Sequence, residues 1–137
     1  MKVKMTNGVV RSLIECLEAM TEKKVELPVK VWYNLSYTRQ KLNEAAKAAE
    51  SVRLKLVDKY GEENEQTKIK TVPNDRMGEF QKEYIELMDT EAEVEVRIVH
   101  MKDMESVSET MQGVQGIFNF FMYLVEGEVE EEALQTV

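Results

Sequence analysis

The stretch Pro28–Gly61, PVKVWYNLSYTRQKLNEAAKAAESVRLKLVDKYG, decides the fold. From Val29 to Tyr60 it holds no glycine and no proline. Val31, Leu35, Leu42, Ala45, Ala49, Val52, Leu56 and Tyr60 recur at helical spacing and form one long stripe. Pro28 suits the first turn of such a helix, where its missing N–H is not needed. Gly61 stands where the C′ glycine of a helix is expected. About 30 residues at ~1.5 Å each make a helix near 45 Å. That exceeds the core of a small globule, so part of the stripe must pack on a partner helix or on another molecule.

Upstream, Lys2–Met5 alternates as a short strand. Thr6 or Asn7 can then cap a helix with apolar positions Val9, Val10, Leu13, Ile14, Leu17 and Met20, ending near Glu22. Downstream, GEENEQ is a charged turn, similar to a calcium loop in composition but without its ligand spacing. Thr67–Val72 alternates and is a second candidate strand. Pro73 and Asn74 break it. Asn74 or Asp75 caps a third helix with Met77, Phe80, Tyr84, Leu87 and Met88 in register, weakened in its first turn by Gly78. This helix is the expected antiparallel mate of the long one.

EAEVEVRIVHM, Glu91–Met101, is the clearest strand. Its alternation places Val94, Val96, Ile98 and His100 on a buried face and Glu93, Glu95, Arg97, Val99 and Met101 on the other. It is expected to pair with Lys2–Met5, with Thr67–Val72, or with both. Ser106 and Glu109 have capping-box spacing. They announce a last helix through Met111, Val114, Ile117, Phe118, Phe121, Leu124 and Val125. Gly113 and Gly116 inside it each cost about 1 kcal/mol relative to alanine, and their spacing would let another backbone come close.

The expected architecture is therefore α+β and mainly helical. A long antiparallel helical hairpin carries a small two- or three-stranded antiparallel sheet and a C-terminal apolar helix. Residues 1–127 form a single domain, and 128–137 form an acidic, frayed tail.

The 137 residues suffice for one domain with a real core and not for two. With 43% hydrophobic and 32% charged residues, the composition is that of a folded protein rather than a disordered one. The net charge is −8, and its placement matters more. Residues 1–101 hold 17 basic and 18 acidic side chains. Beyond them Lys102 alone faces Asp103, Glu105, Glu109, Glu126, Glu128, Glu130, Glu131 and Glu132. An acidic excess argues against direct nucleic-acid binding, which needs clustered lysine and arginine. It suits a solvated tail or a basic partner surface.

One cysteine, Cys16, excludes an intramolecular disulfide, and its neighbours Ile14, Leu17 and Met20 mark a buried thiol. MKVKMTNGVV lacks the apolar segment of a signal peptide. No apolar run approaches the ~20 residues of a membrane span. These features lead to the expectation of a cytosolic protein.

No catalytic, metal or cofactor-binding constellation stands out. The six glycines are scattered and form no phosphate loop. One cysteine and one histidine cannot make a zinc site. Cys16 and His100 would both sit on buried faces, and nothing local brings them together. Glu91, Glu93 and Glu95 share one strand face; this is read as a charged face that discourages aggregation rather than as a cation site.

Two aromatic groups remain as partner-binding candidates. Trp32 and Tyr33 begin the long helix, with Tyr37 one turn on, and Phe118, Phe120, Phe121 and Tyr123 lie on the last one. On a continuous helix Phe118 and Phe121 share the face of Met111, Val114 and Val125, whereas Phe120 and Tyr123 point elsewhere. A helix apolar on more than one face is either fully buried or reaches a partner. The expected partner is a protein, with a second copy the simplest candidate. Glu126, Glu128, Glu130, Glu131 and Glu132 form a candidate acidic docking surface.

The order MKVKMTNGVVRSL, LPVKVWYNLSYTRQKLNE, VRLKLVDKYGEENE and FQKEYIELMDTEAEVEVRIVHMKDMESV resembles a group of small proteins of tailed bacteriophages and prophages, classed as a domain of unknown function. The resemblance covers nearly the whole chain and carries no active-site residues. The aromatic GIFNFFMYLVEGE departs from the group's pattern. The resemblance implies a phage origin, a non-enzymatic role, and a place in the host cytoplasm during infection or in the virion. A structural or assembly component of the particle is the first expectation. The alternative is an inhibitor of a bacterial defence system, docking its acidic end on a basic nucleic-acid-binding channel.

Overall fold

The computed structural model describes residues 1–126, except for the side chains of Ser106 and Ser108. The chain is α+β and mainly helical, as its periodicities predict. Strand β1 (Lys2–Thr6) leads into helix α1 (Asn7–Glu22), and the long helix α2 (Val29–Tyr60) follows. Thr6 is the N-cap of α1: its hydroxyl accepts a hydrogen bond from the Val9 N–H at 3.2 Å. Pro28 is the N-cap of α2 rather than its first helical residue. Gly61 ends α2 in an extended conformation (φ −87°), not in the left-handed one a C′ glycine usually takes.

A short antiparallel hairpin, β2 (Glu62–Glu63) with β3 (Lys70–Thr71), turns the chain back. The Asn64 side chain holds this turn by accepting from the N–H groups of Gln66 and Thr67 at 2.8 and 3.2 Å. Helix α3 (Asn74–Asp89) then returns along the distal half of α2.

The length of α2 is now accounted for. α1 and α3 have 16 residues each, together the 32 of α2. Both run antiparallel to it. α1 lies along the proximal half and α3 along the distal half. Where the C-terminal end of α3 meets the N-terminal end of α1, Asn7 joins them. Its backbone N–H donates to the Thr90 carbonyl and its side-chain amide to the Leu87 carbonyl, both at 2.9 Å. Free donors at one helix end thus answer free acceptors at another. The expected hairpin is present, and α2 has two mates rather than one.

Strand β4 (Glu91–Glu95) leaves this joint and pairs antiparallel with β1, from Thr6 opposite Glu91 to Lys2 opposite Glu95. Thr67–Val72 does not join it; the strand there pairs with Glu62–Glu63 instead. Nor does the strand run unbroken to Met101. The Val96 N–H still reaches the Met1 carbonyl at 2.8 Å, but the next N–H, of Arg97, donates to the hydroxyl of buried Thr38 on α2 at 2.9 Å. The chain bends there and its alternation changes phase. Val94 and Val96 are buried, then Val99 is buried, and His100 is exposed against expectation. Strand β5 (Val99–His100) pairs in parallel with β6 (Val125–Glu126), an arrangement the expected antiparallel sheet did not include.

The last predicted helix is two. α4 (Glu105–Thr110) has Met104, not Ser106, as its N-cap, so the capping-box reading fails. α5 (Ile117–Leu124) begins only after a break. Gly113 and Gly116 make the break, with φ of +79° and +88°. Such angles are cheap for glycine and costly for any residue with a Cβ. Gly116 also packs against α1 so closely that a Cβ would lie 2.5 Å from the Ser12 carbonyl oxygen.

The core gathers around the proximal half of α2. Leu13, Cys16, Leu17 and Met20 of α1 meet Val31, Leu35 and Leu42 of α2, Met5 and Val94 of the β1–β4 ribbon with Val96 just beyond it, and Phe120 and Leu124 of α5. The distal arm differs: no residue of α3 is fully buried. Among the described residues no helix is long and apolar enough to cross a membrane.

Candidate interaction surface

Among the described residues two apolar features stand out from scattered exposed side chains such as Val29, Leu54, Ile69 and Ile85, and the break at Gly113–Gly116 decides one of them. Because α5 restarts with its own phase, its buried face is Phe120 and Leu124. Ile117, Phe121 and Tyr123 are half-buried against the core, and Phe120 meets Phe121 edge to face at 5.5 Å. Phe118 is 72% exposed and Met122, one turn on, is 58% exposed. The expected faces are therefore corrected. Phe120 belongs to the core and offers nothing to a partner. Phe118 leaves the face shared with Met111, which is buried, and stands with Met122 as a bare ridge.

The second feature is a groove of about 1100 Å³ where α1, α2 and α3 meet. Its apolar lining is Val10 and Ile14 from α1, Ala46 and Ala49 from α2, and Phe80, Tyr84 and Met88 from α3. The cause is legible in the residues. At the joint of α1 and α3, α2 offers the groove Ala46 and Ala49 among polar side chains such as Gln40, Asn43 and Lys47, so no large apolar side chain fills the space between the three helices. Aromatic contacts shape the α3 wall. Phe80 stacks on Tyr84 at 6.1 Å and meets Tyr60 edge to face at 6.4 Å. Arg11 crosses from α1 and donates to the Tyr84 hydroxyl at 2.8 Å.

Most charges on the rim are answered within the chain, and among the described residues Lys47 is the basic lining residue that has no ion pair. Arg11 pairs with Glu15 at 3.3 Å, Arg53 with Glu50 at 2.6 Å, and Lys41 with Glu44 at 3.8 Å. The hydrogen bond from Arg53 holds the Glu50 carboxyl below its ordinary value, and the same bond raises Arg53. At the tip of the arm the Tyr60 hydroxyl, then Lys59, hold Glu83 below the usual carboxylate range.

The other candidate residues are scattered. Trp32 is half-buried against the core. Tyr33 is exposed, yet together with Tyr37 it flanks Arg97, whose guanidinium carbon lies 5.5 and 4.3 Å from the two ring centres. Tyr33 and Arg97 thus already have an internal partner. Glu93 faces Lys2 at 3.7 Å and Glu95 faces the N-terminal amine at 3.1 Å, so two of the three carboxylates on the strand face are answered from the neighbouring strand, while Glu91 lies opposite Thr6. Among the described residues no group of three His, Cys, Asp or Glu is arranged to hold a metal ion. Cys16 is wholly buried in α1, and burial pushes its thiol up to about 11, whereas His100 is exposed. Burial at one site and exposure at the other give them no common surface for chemistry. Glu126 is exposed in β6; Glu128, Glu130, Glu131 and Glu132 lie outside the described residues.

The groove is the feature that sequence reasoning missed. Its wall residues were visible as three separate helical stripes, but no local signal says that the three stripes leave a gap where they converge. The chain matches no protein-family model, and no curated protein and no solved structure is significantly similar to it.

Proposed function

We propose that this chain works by protein–protein contact rather than by catalysis, as a structural or assembly component of a tailed-phage particle. The observation that carries the contact reading is the distal arm. α3 has an apolar stripe of helical period, yet none of its residues is fully buried. An amphipathic helix ordinarily hides such a stripe. The open groove beside it is a surface that a protein partner would close. The phage setting rests on the sequence resemblance described above.

Mass spectrometry of purified particles of the encoding phage tests the reading. Recovery at a fixed copy number that fits the particle's symmetry is the expected result. Absence from particles, with expression in infected cells, overturns the virion role.

A second reading draws on the segregated charge. Residues 102–137 carry eight acidic side chains against one basic, the distribution expected of an inhibitor that docks on a basic nucleic-acid-binding site of a host defence protein. That reading requires Glu→Gln changes at Glu128, Glu130, Glu131 and Glu132, or high salt, to abolish binding. Unchanged binding in both would sink it.

A further inference from the structure

We propose that the groove between α1, α2 and α3 receives the Phe118–Met122 ridge of α5 from a second copy of this chain, in a reciprocal two-fold dimer. This rests on the contact reading above and names the partner. Electrostatics supplies the first argument. Arg11 with Glu15 and Arg53 with Glu50 pair on the rim within one chain, which leaves Lys47, among the described residues, as the single lining cation without an ion pair, so most of the rim asks no charge of an occupant. A charged occupant would lose its hydration without gaining a free counter-charge from these pairs. α5, IFNFFMYL, is the only helix among the described residues without a charged side chain.

Shape and chemistry supply the second. Phe118 and Met122 lie one above the other at i, i+4 and are both mostly exposed. The wall that would receive them offers the Phe80 and Tyr84 rings and the Met88 thioether. Aromatic and sulfur–aromatic contacts favour that match.

Placement supplies the third. α5 cannot fill the groove of its own chain. Gly116 is pressed against Ser12, the Asn119 amide donates to the Ser12 hydroxyl at 3.1 Å, and Phe120 is locked in the core. The ridge is therefore anchored on a neighbouring side of α1. Arg11 and Glu15 line the groove and also the small recess next to Gln115, just before α5. The chain just before α5, which carries the knob, and the groove are thus neighbours across α1. A two-fold axis between them brings each knob to the other's hole and closes the assembly at two copies.

The test is sedimentation of the purified full-length chain over a range of concentrations, with Phe118→Asp and Ala49→Arg variants checked for helicity. The parent sediments as a dimer. Each variant alone dimerises at least about tenfold more weakly, as loss of a buried anchor requires. Mixed in equal amounts, the two variants recover a dimer, because the intact knob of one meets the intact groove of the other. Ala46→Arg replaces the groove variant if Ala49→Arg loses helicity. A monomeric parent, a Phe118→Asp variant that remains dimeric, or a mixture that stays monomeric overturns the proposal. A monomeric parent that is nonetheless recovered in particles removes the self-contact alone and leaves the particle role standing.

Discussion

At the scale of single residues, three positions hold bends on which the rest of the chain depends. Thr38 is a fully buried polar side chain, and its hydroxyl takes the Arg97 N–H that the ribbon gives up. Removing that acceptor leaves a part-buried donor without a partner. Thr38→Val is expected to cost about 1–3 kcal/mol in urea unfolding, and Thr38→Ser, which keeps the acceptor, distinctly less. Equal losses in the two variants would assign the effect to packing. Gly113 and Gly116 both take left-handed angles, but only Gly116 is crowded; nothing lies within 4 Å of a Cβ at Gly113. Gly113→Ala therefore carries the backbone cost alone, about 1–2 kcal/mol. Gly116→Ala adds a collision with the Ser12 carbonyl, and its midpoint in the same unfolding series falls further. Similar losses at both positions would contradict the close packing of α5 on α1.

Among the elements, the α2–α3 arm has the clearest pH dependence. Glu83 is held below the usual carboxylate range by the Tyr60 hydroxyl and by Lys59, which donates to it at 3.2 Å. A depressed folded value means that this contribution is present at neutral pH and is lost as the pH falls through that value. Lys59 is exposed and Tyr60 and Glu83 are half-buried at the surface, so solvent screens the interaction and the effect is small and local. Helicity followed by circular dichroism from pH 7 to pH 3 is expected to fall for the parent and to fall less for Glu83→Gln. Identical profiles would remove Tyr60–Lys59–Glu83 as the acid-sensitive clamp of the arm. Much of each element was readable in advance. The α1 and α3 stripes, a cap at Thr6 or Asn7, the Pro73 break and the β4 alternation up to Val96 all follow from near neighbours in the chain. The single last helix was misread because the apolar spacing from Met111 to Val125 looks continuous across two glycines. Spacing does not reveal the sign of φ at Gly113 and Gly116, and that sign restarts the phase of α5. Phe118 and Phe120 exchange roles as a result.

The whole molecule divides into a packed proximal half and a thin distal arm. Fully buried residues crowd α1, the ribbon and α5, while none lies in α3 or in α2 beyond Leu42. Local opening is cheapest where few apolar groups are buried. Native-state hydrogen exchange is therefore expected to protect amides of α1, β1 and β4 more strongly than those of α3 and of α2 beyond residue 50. Uniform protection would mean that the arm and the core open as one unit. If the dimer forms as proposed, protection in α3 rises with protein concentration, because α3 provides one wall of the shared groove.

By itself the sequence determined the class of the fold, the extent of the three main helices, and the identity of two strands. These are set by side-chain periodicity, capping and chain-breaking residues, which act over a few neighbours. Only the tertiary structure decided that α1 and α3 meet end to end on α2, that β4 bends toward Thr38, and that α5 turns Phe118 outward. Each of these joins residues remote in sequence: Asn7 with Leu87 and Thr90, Arg97 with Thr38, Gly116 with Ser12. The groove is of the same kind. It is a gap between three stripes, fixed by the distance at which alanines let them converge, and no one stripe contains that distance.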